Sequence, residues 1–363
     1  MFHRKNRRLL FIILALTLTG IFMIGSASHV WAEFKYQDAY YYVKRQSLFA
    51  VLGLFVMAIV SRMNIKSLQR MSAGILFCCV LMLGLVLIPG LGVTRNGSQS
   101  WFGVGSFLLQ PSEFAKLGLI VFVSDYLSKK KKLRSFFKDL LLPAFVTVLC
   151  FGLIMLQPDF GSGVVMCCSI VVLVIAAGCP MKYFVRLGML GVVGMVALIL
   201  SAPYRLARIT AFLDPFQDPL GAGFQTIQAL YAIGPGGIFG LGFSNSMQKH
   251  FYLPEPQTDF IFAIIAEELG FFGCLFIIFL FILLLNEGIR IALSCKDLFL
   301  SYVTIGIISL FTIQVMINLG VVVNLFPITG ITLPFISYGG SSLVLMLASM
   351  GIVMAIHIHE END

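Results

Sequence analysis

Charge is what this sequence has least of. Only 12% of its 363 residues are Asp, Glu, Lys or Arg, roughly half the share of a soluble globular chain, while 59% are hydrophobic and the mean hydropathy is +0.96. That scarcity excludes a soluble enzyme, and so much apolar content excludes intrinsic disorder. Histidine is sparse too: His3, His357 and His359 are terminal, and His29 and His250 are isolated, so no zinc site is expected. The glycine-rich run 234–242 lacks the Gly-Lys-Ser/Thr ending of a phosphate loop, and its glycines point instead to tight turns or close backbone approach. Internal repeats and low-complexity tracts are missing. So is any basic, aromatic-interleaved patch, so the net charge of +8 carries no nucleic-acid signal. All eight cysteines sit within expected spans or on the cytoplasmic side and none in an outer loop, so they read as small apolar packing residues rather than a disulfide framework.

Long apolar runs are what the chain does have. A helix needs roughly 20 mostly apolar residues to cross a bilayer. Candidate spans lie near Leu9–Ser26, Gln46–Ser61, Ala73–Leu91, Pro111–Leu127, Leu140–Leu156, Phe160–Cys179, Phe184–Ala202, Asp259–Leu285, Phe299–Val323 and Gly339–Ile358. Ten crossings put both termini on one side. The alternate connections on that side carry 17 Lys and Arg against seven on the other, so the termini are placed in the cytoplasm. Trp31, Trp101 and Tyr40, Tyr41 and Tyr42 then form an outer aromatic belt. A basic start and Ser26-Ala27-Ser28 mimic a signal peptide, but keeping the first span preserves the charge alternation of every later connection. The expectation is an all-α polytopic membrane helix bundle, one domain over residues 1–363, with about ten transmembrane helices and a large outer loop over 203–258. Partitioned this way, the charge is +10 in the cytoplasm, zero outside and −2 in the spans. The net charge therefore says nothing about a substrate.

The outer loop holds Arg205, Arg208, Asp214, Asp218 and Lys249 and leads into Asp259. Loops this long are uncommon in compact proteins unless functional. Segments 95–112 and 324–340 are also rich in Gly, Ser and Pro. Within the spans stand Glu113, Lys116, Glu267 and Glu268. Charge in hydrocarbon is costly, so each is a functional candidate. Glu113 and Lys116, three apart on one helical face, form either a structural ion pair or the wall of a cavity for a charged headgroup. Glu267 and Glu268 are adjacent and point in different directions, so at most one is expected to face a site. Asp259 opens the eighth span, where a helix N-terminus favours a carboxylate. Asp159 has the same ambiguity between cap and site.

Five blocks then resemble a known family. They are NGSQSWFGVG followed by QPSEFAK over 96–116, QPDFGSG over 157–163, DPLGAGFQTIQALYAIGPGGIFGLG over 218–242, YLPEPQTDFIFAIIAEELG over 252–270 and GITLPFISYGGSS over 330–342. In this order they are similar to the signatures of the SEDS family (shape, elongation, division and sporulation). Met247-Gln248-Lys249 looks like its division and sporulation branch, and Gln257 before Thr258 looks more like the sporulation member. The resemblance implies a peptidoglycan glycosyltransferase that polymerises lipid II at the outer membrane face, beside a class B penicillin-binding protein acting as transpeptidase. It also implies a cell-membrane location at the division septum or forespore, further division or sporulation partners, and no nucleic acid. The family's essential aspartate maps onto Asp259.

Such chemistry needs a base for the acceptor hydroxyl and positive charge at the leaving pyrophosphate. Asp259 is the expected base, or a ligand for Mg²⁺ or another divalent cation; no organic cofactor is implied. Lys116, Arg205, Arg208 and Lys249 are the candidate cations, and Glu113, Glu267, Glu268 and Ser337 complete the substrate-binding candidates. Gly339 and Gly340 are expected to allow close approach at a furrow for the lipid tail. Two other readings stand beside this one. One is a flippase for the lipid-linked precursor, although the sequence suggests neither an inverted repeat nor paired broken helices. The other is a non-catalytic scaffold that recruits the penicillin-binding protein.

Overall fold

A computed structural model describes residues 6–95, 97–104, 107–130, 139–180 and 203–362, with isolated positions from 183 to 200. Each candidate span inside those stretches is a helix. In order they are α1 (Arg7–Tyr36), α2 (Tyr41–Val60), a short α3 (Ile65–Arg70), α4 (Ser72–Leu85), α5 (Pro111–Ser128), α6 (Leu141–Leu156) and α7 (Phe160–Ala176). After the outer segment come α10 (Ile261–Ser294), α11 (Leu298–Val322) and α12 (Gly340–Asn362). Apart from those isolated positions, the seventh candidate span, Phe184–Ala202, lies outside the described residues, and so do the basic residues Lys131, Lys132, Arg134 and Lys138. Helices α1, α2, α10, α11 and α12 are each long and apolar enough to cross a membrane; α4, α6 and α7 are apolar but shorter. The protein is a multi-pass membrane protein.

Local sequence explains the helix ends. Pro111 opens α5, where a missing amide costs nothing. The side chains of Asn64, Asp159 and Asp297 accept from the first-turn amides of α3, α7 and α11, satisfying donors that helix geometry leaves unpaired. Gln37 closes α1 in a left-handed conformation, its amide bonded to Glu33 O.

Small residues let the helices approach one another, as expected where no water drives association. A side chain on Gly53 of α2 would strike Leu347 of α12, and one on Gly306 of α11 would meet Ile120 of α5 at 2.3 Å. Gly340 serves the same close packing, against the ring of Phe49 in α2. Outward-facing Phe55, Phe77, Phe145 and Phe276 stay exposed, which suits hydrocarbon and not water.

Two features depart from an all-helical bundle with a long open loop. The outer segment after α4 forms a three-stranded antiparallel sheet, β1 (Gly92–Arg95), β2 (Ser98–Val104) and β3 (Phe107–Leu109), with Val93 opposite Trp101 and Phe102 opposite Leu109. Its register is held from below: Ser98 and Ser100 donate to Gln157 O, and Gln157 Nε2 donates to Leu83 O at 3.1 Å. The segment 203–258 is likewise structured, with α8 (Pro203–Leu213), a 3₁₀ turn (Pro215–Gln217) and α9 (Phe224–Gly236) laid against α10.

Candidate functional site

Asp259 stands two residues ahead of α10, half-buried. Its Oδ1 accepts from Thr258 Oγ1 at 2.7 Å, and its main-chain carbonyl accepts from Asn318 Nδ2 on α11 at 2.8 Å. The first-turn amides of α10 lie just beyond it, where a helix favours negative charge.

Lys116 and Glu113 do pair, at 2.7 Å, with Lys116 only 2% exposed. The Ile120–Gly306 contact registers α5 against the antiparallel α11. At 1.5 Å per residue, Glu113 is roughly 10 Å outward of Ile120, and Asn318 about 18 Å outward of Gly306. The ion pair therefore lies about 8 Å deeper than the anchor of Asp259. Asp159 resolves as a tie: besides capping α7 through Ser162 N (3.2 Å), it accepts from Gln110 Nε2 (2.9 Å) and Ser112 Oγ (3.4 Å) at the start of α5.

Glu267 and Glu268 find partners that helix spacing alone does not reveal. Both side chains are buried, and both reach the same loop. Glu267 accepts from Ser246 Oγ (2.5 Å) and the Met247 amide (2.9 Å). Glu268 accepts from the Ser246 amide (3.2 Å), Lys249 Nζ (3.2 Å) and Ser26 Oγ of α1 (2.6 Å). The two side chains still diverge around the helix; residues 244–249 fold over it and enter the wedge between them.

That loop docks where α10 is broken. Gly270 has φ 65° and ψ −161°, and the run after α9 exchanges main-chain bonds with the break: Leu241 N to Glu267 O (2.9 Å), Gly242 N to Glu268 O (3.0 Å) and Phe271 N to Gly237 O (2.9 Å). Close approach is why glycine is needed there: a Cβ on Gly236 would lie 2.0 Å from Ala266 O, and one on Gly240 2.2 Å from Glu268 O. Lys249 Nζ also donates to Ser244 O at 2.6 Å, so the structure binds this cation into the clamp.

Ser337 lies in the segment 329–339, a non-helical strap buried among the helices. Its hydroxyl accepts from Leu333 N (2.8 Å) and donates to Thr258 O (2.6 Å). Arg205 and Arg208 have side chains outside the described residues. Among the described residues no three or more His, Cys, Asp or Glu side chains converge.

The site residues the sequence reading missed are uncharged. Gln314 and Asn318, four apart on one face of α11, are buried and donate to the strap carbonyls Thr332 O (3.0 Å) and Ile331 O (2.7 Å). The signal was present, since a buried amide inside a span is nearly as costly as a charge unless bonded, but only ionisable residues were weighed. Ser26, read as part of a cleavage-site mimic, is a ligand of Glu268.

Residues 7–362 match the family model of the cell cycle proteins FtsW, RodA and SpoVE. Stage V sporulation protein E of Bacillus subtilis is 53% identical over 350 residues, covering 96% of each chain. A probable peptidoglycan glycosyltransferase FtsW of Trichlorobacter lovleyi is 40% identical over 349 residues, covering 96% of this chain and 92% of its own. Among solved structures, a chain of a peptidoglycan synthase complex that coordinates polymerization and crosslinking superposes with a TM-score of 0.82 at 33% identity, over 98% of both chains. The rod shape determining protein RodA of Thermus thermophilus superposes with a TM-score of 0.73 at 30% identity, over 98% of this chain and 97% of that one.

Proposed function

This chain belongs to the FtsW, RodA and SpoVE family of cell cycle proteins, and from that premise we propose that it polymerises lipid II on the outer membrane face with Asp259 as general base. It is a peptidoglycan glycosyltransferase, the activity its relatives carry. The observation that supports the base is the setting of Asp259: a half-buried carboxylate held at the head of α10, above a buried Lys116–Glu113 pair.

The acceptor sugar's hydroxyl gives its proton to the Asp259 carboxylate as its oxygen bonds to the donor's anomeric carbon. The bond from that carbon to the lipid pyrophosphate breaks with it, and its electron pair leaves on the pyrophosphate. Lys116, whose ion pair is with Glu113, and Arg205 and Arg208 of the outer segment are the candidate cations for that charge. Lys249 is bound to Glu268 and drops from that role, as Glu267 and Glu268 drop from direct substrate contact. A divalent cation such as Mg²⁺ would arrive on the pyrophosphate and take Asp259 as its protein carboxylate. The identity to a sporulation protein supports a spore-cortex role at the forespore over a septal one, and the synthase-complex neighbour supports a class B penicillin-binding partner.

The flippase reading gains a broken helix in α10 but loses the polar groups that would line a headgroup path. The carbonyls freed at Glu267 and Glu268 and both carboxylates are already bonded to residues 241–249. Purified protein with its partner, incubated with labelled lipid II, is the test. Asp259→Asn is expected to lose about 10²–10⁴ in chain formation while still binding the partner. Full polymerisation by that variant refutes the base. No glycan from the wild type, with lipid II moved across vesicles instead, establishes the flippase.

A further inference from the structure

The peptide that carries Asp259 is held at three successive carbonyls by two other elements. Gln257 O accepts from the Tyr338 amide at 2.8 Å, Thr258 O from Ser337 Oγ at 2.6 Å, and Asp259 O from Asn318 Nδ2 at 2.8 Å. We propose that Asn318 and Ser337 are positioning residues, which fix the direction of the Asp259 carboxylate by gripping its main chain from α11 and the strap. The proposal rests on the reading of Asp259 as general base.

The orientation of each donor is forced. Asn318 is 1% exposed and faces two carbonyls, Asp259 O and Ile331 O (2.7 Å), so its NH₂ and not its oxygen must point at them. The Ser337 hydroxyl already accepts from Leu333 N, which leaves its proton for Thr258 O. The strap behind them has little room to move. Leu333, Phe335 and Ile336 are buried, and a side chain on Gly20 of α1 would stand 2.6 Å from Phe335 O. Gln314 holds Thr332 O, and Gln46 of α2 brackets the far end, donating to Ser337 O (3.2 Å) and accepting from Gly339 N (3.3 Å).

Residues 257–259 precede α10, which starts at Ile261, and their local bonding is a turn in which Thr258 N donates to Glu255 O at 3.1 Å and Thr258 Oγ1 lies 2.7 Å from the same oxygen. Loss of the three outside donors loosens rotation about the Thr258 and Asp259 backbone, which swings the carboxylate. A displacement of about 1 Å costs roughly 100-fold when the proton acceptor must meet an oncoming hydroxyl. A purely architectural staple would alter how much protein folds, whereas a positioning device alters the turnover of each folded molecule.

The test measures kcat and KM on labelled lipid II for the full chain with its partner, per molecule shown folded by gel filtration and thermal melting. Asn318→Asp is isosteric and turns both donors into acceptors; Ser337→Ala removes the hydroxyl and Ser337→Thr keeps it. The expected result is a fall in kcat of about 10- to 100-fold for Asn318→Asp and Ser337→Ala, with KM within about twofold and Ser337→Thr retaining more turnover than Ser337→Ala. Should Asn318→Asp fail to fold, Ser337→Ala against Ser337→Thr decides. An unchanged kcat per folded molecule, or a change confined to KM, overturns the proposal. Asp259→Asn in parallel separates the two layers. If it is inactive while the Ser337 and Asn318 variants turn over normally, only the positioning falls. If it is fully active, the general base falls, and the positioning with it.

Discussion

The Lys249 ammonium lies 3.2 Å from the Glu268 carboxylate, and neither side chain is more than 3% exposed. Ser26 of α1 binds both, so three parts of the chain distant in sequence meet on one buried charge pair. Around it the outer segment is clamped onto α10 at the point where that helix breaks.

Removing one partner of a buried pair strands the other, so Lys249→Met is expected to destabilise the protein by about 3–5 kcal/mol. Lys249→Met combined with Glu268→Gln should recover much of that loss in thermal melts in detergent. A double variant no more stable than the single one would mean the pair is not coupled.

Ser26→Ala deletes a donor to Glu268 without disturbing the helix. The expected cost is about 1–3 kcal/mol for a buried acceptor left short of a partner. Equal melting temperatures for the variant and the wild type would contradict it.

Gly270→Ala should abolish folding. Its backbone is in a region open essentially to glycine alone, and the new Cβ would sit 2.3 Å from Gly240 N. Gly74→Ala is the control: in α4, with nothing within 4 Å of the added carbon, it should express and melt at or slightly above the wild type, since alanine favours helix over glycine.

The Glu113–Lys116 pair separates stability from chemistry. Lys116→Met with Glu113→Gln is expected to be more stable than either single variant, because each single variant strands one charge and the double variant leaves none. If Lys116 meets the pyrophosphate, the double variant stays impaired in polymerisation although well folded. Restored turnover would return the pair to a structural role.

At the turn between α1 and α2, the Lys44 ammonium bonded to Asp38 at 2.8 Å holds that carboxyl below its ordinary 3.8. A lowered folded value means the contribution is complete above 3.8 and fades as pH falls through the lowered value. Asp38→Asn should therefore melt slightly below the wild type at pH 7 and converge with it in acid. A gap that persists in acid would rule out the charge as its source.

The spans were legible because a bilayer demands about 20 apolar residues whatever their neighbours, and Pro111 and Asp159 mark helix starts by local chemistry. Asp259 was legible through the motif around it, and Glu113 with Lys116 through their helical spacing. The clamp was not. Adjacent Glu267 and Glu268 diverge as helix periodicity requires, but periodicity says nothing of the loop that folds back between them. Ser337 read as a substrate contact because its motif named a residue and no partner.

Composition alone marks this chain as a membrane bundle, and local chemistry marks the carboxylate that heads α10, since each follows from the chain's content or from neighbours along one helix. Only the tertiary structure decided that Lys249, Glu267 and Glu268 spend their charge on one another's loop, and that Asn318 and Ser337 grip the peptide of Asp259. The reason is geometric. A side chain's partner is set by what lies within about 3 Å in space, and for Ser26 and Glu268 that means 242 positions apart in the chain.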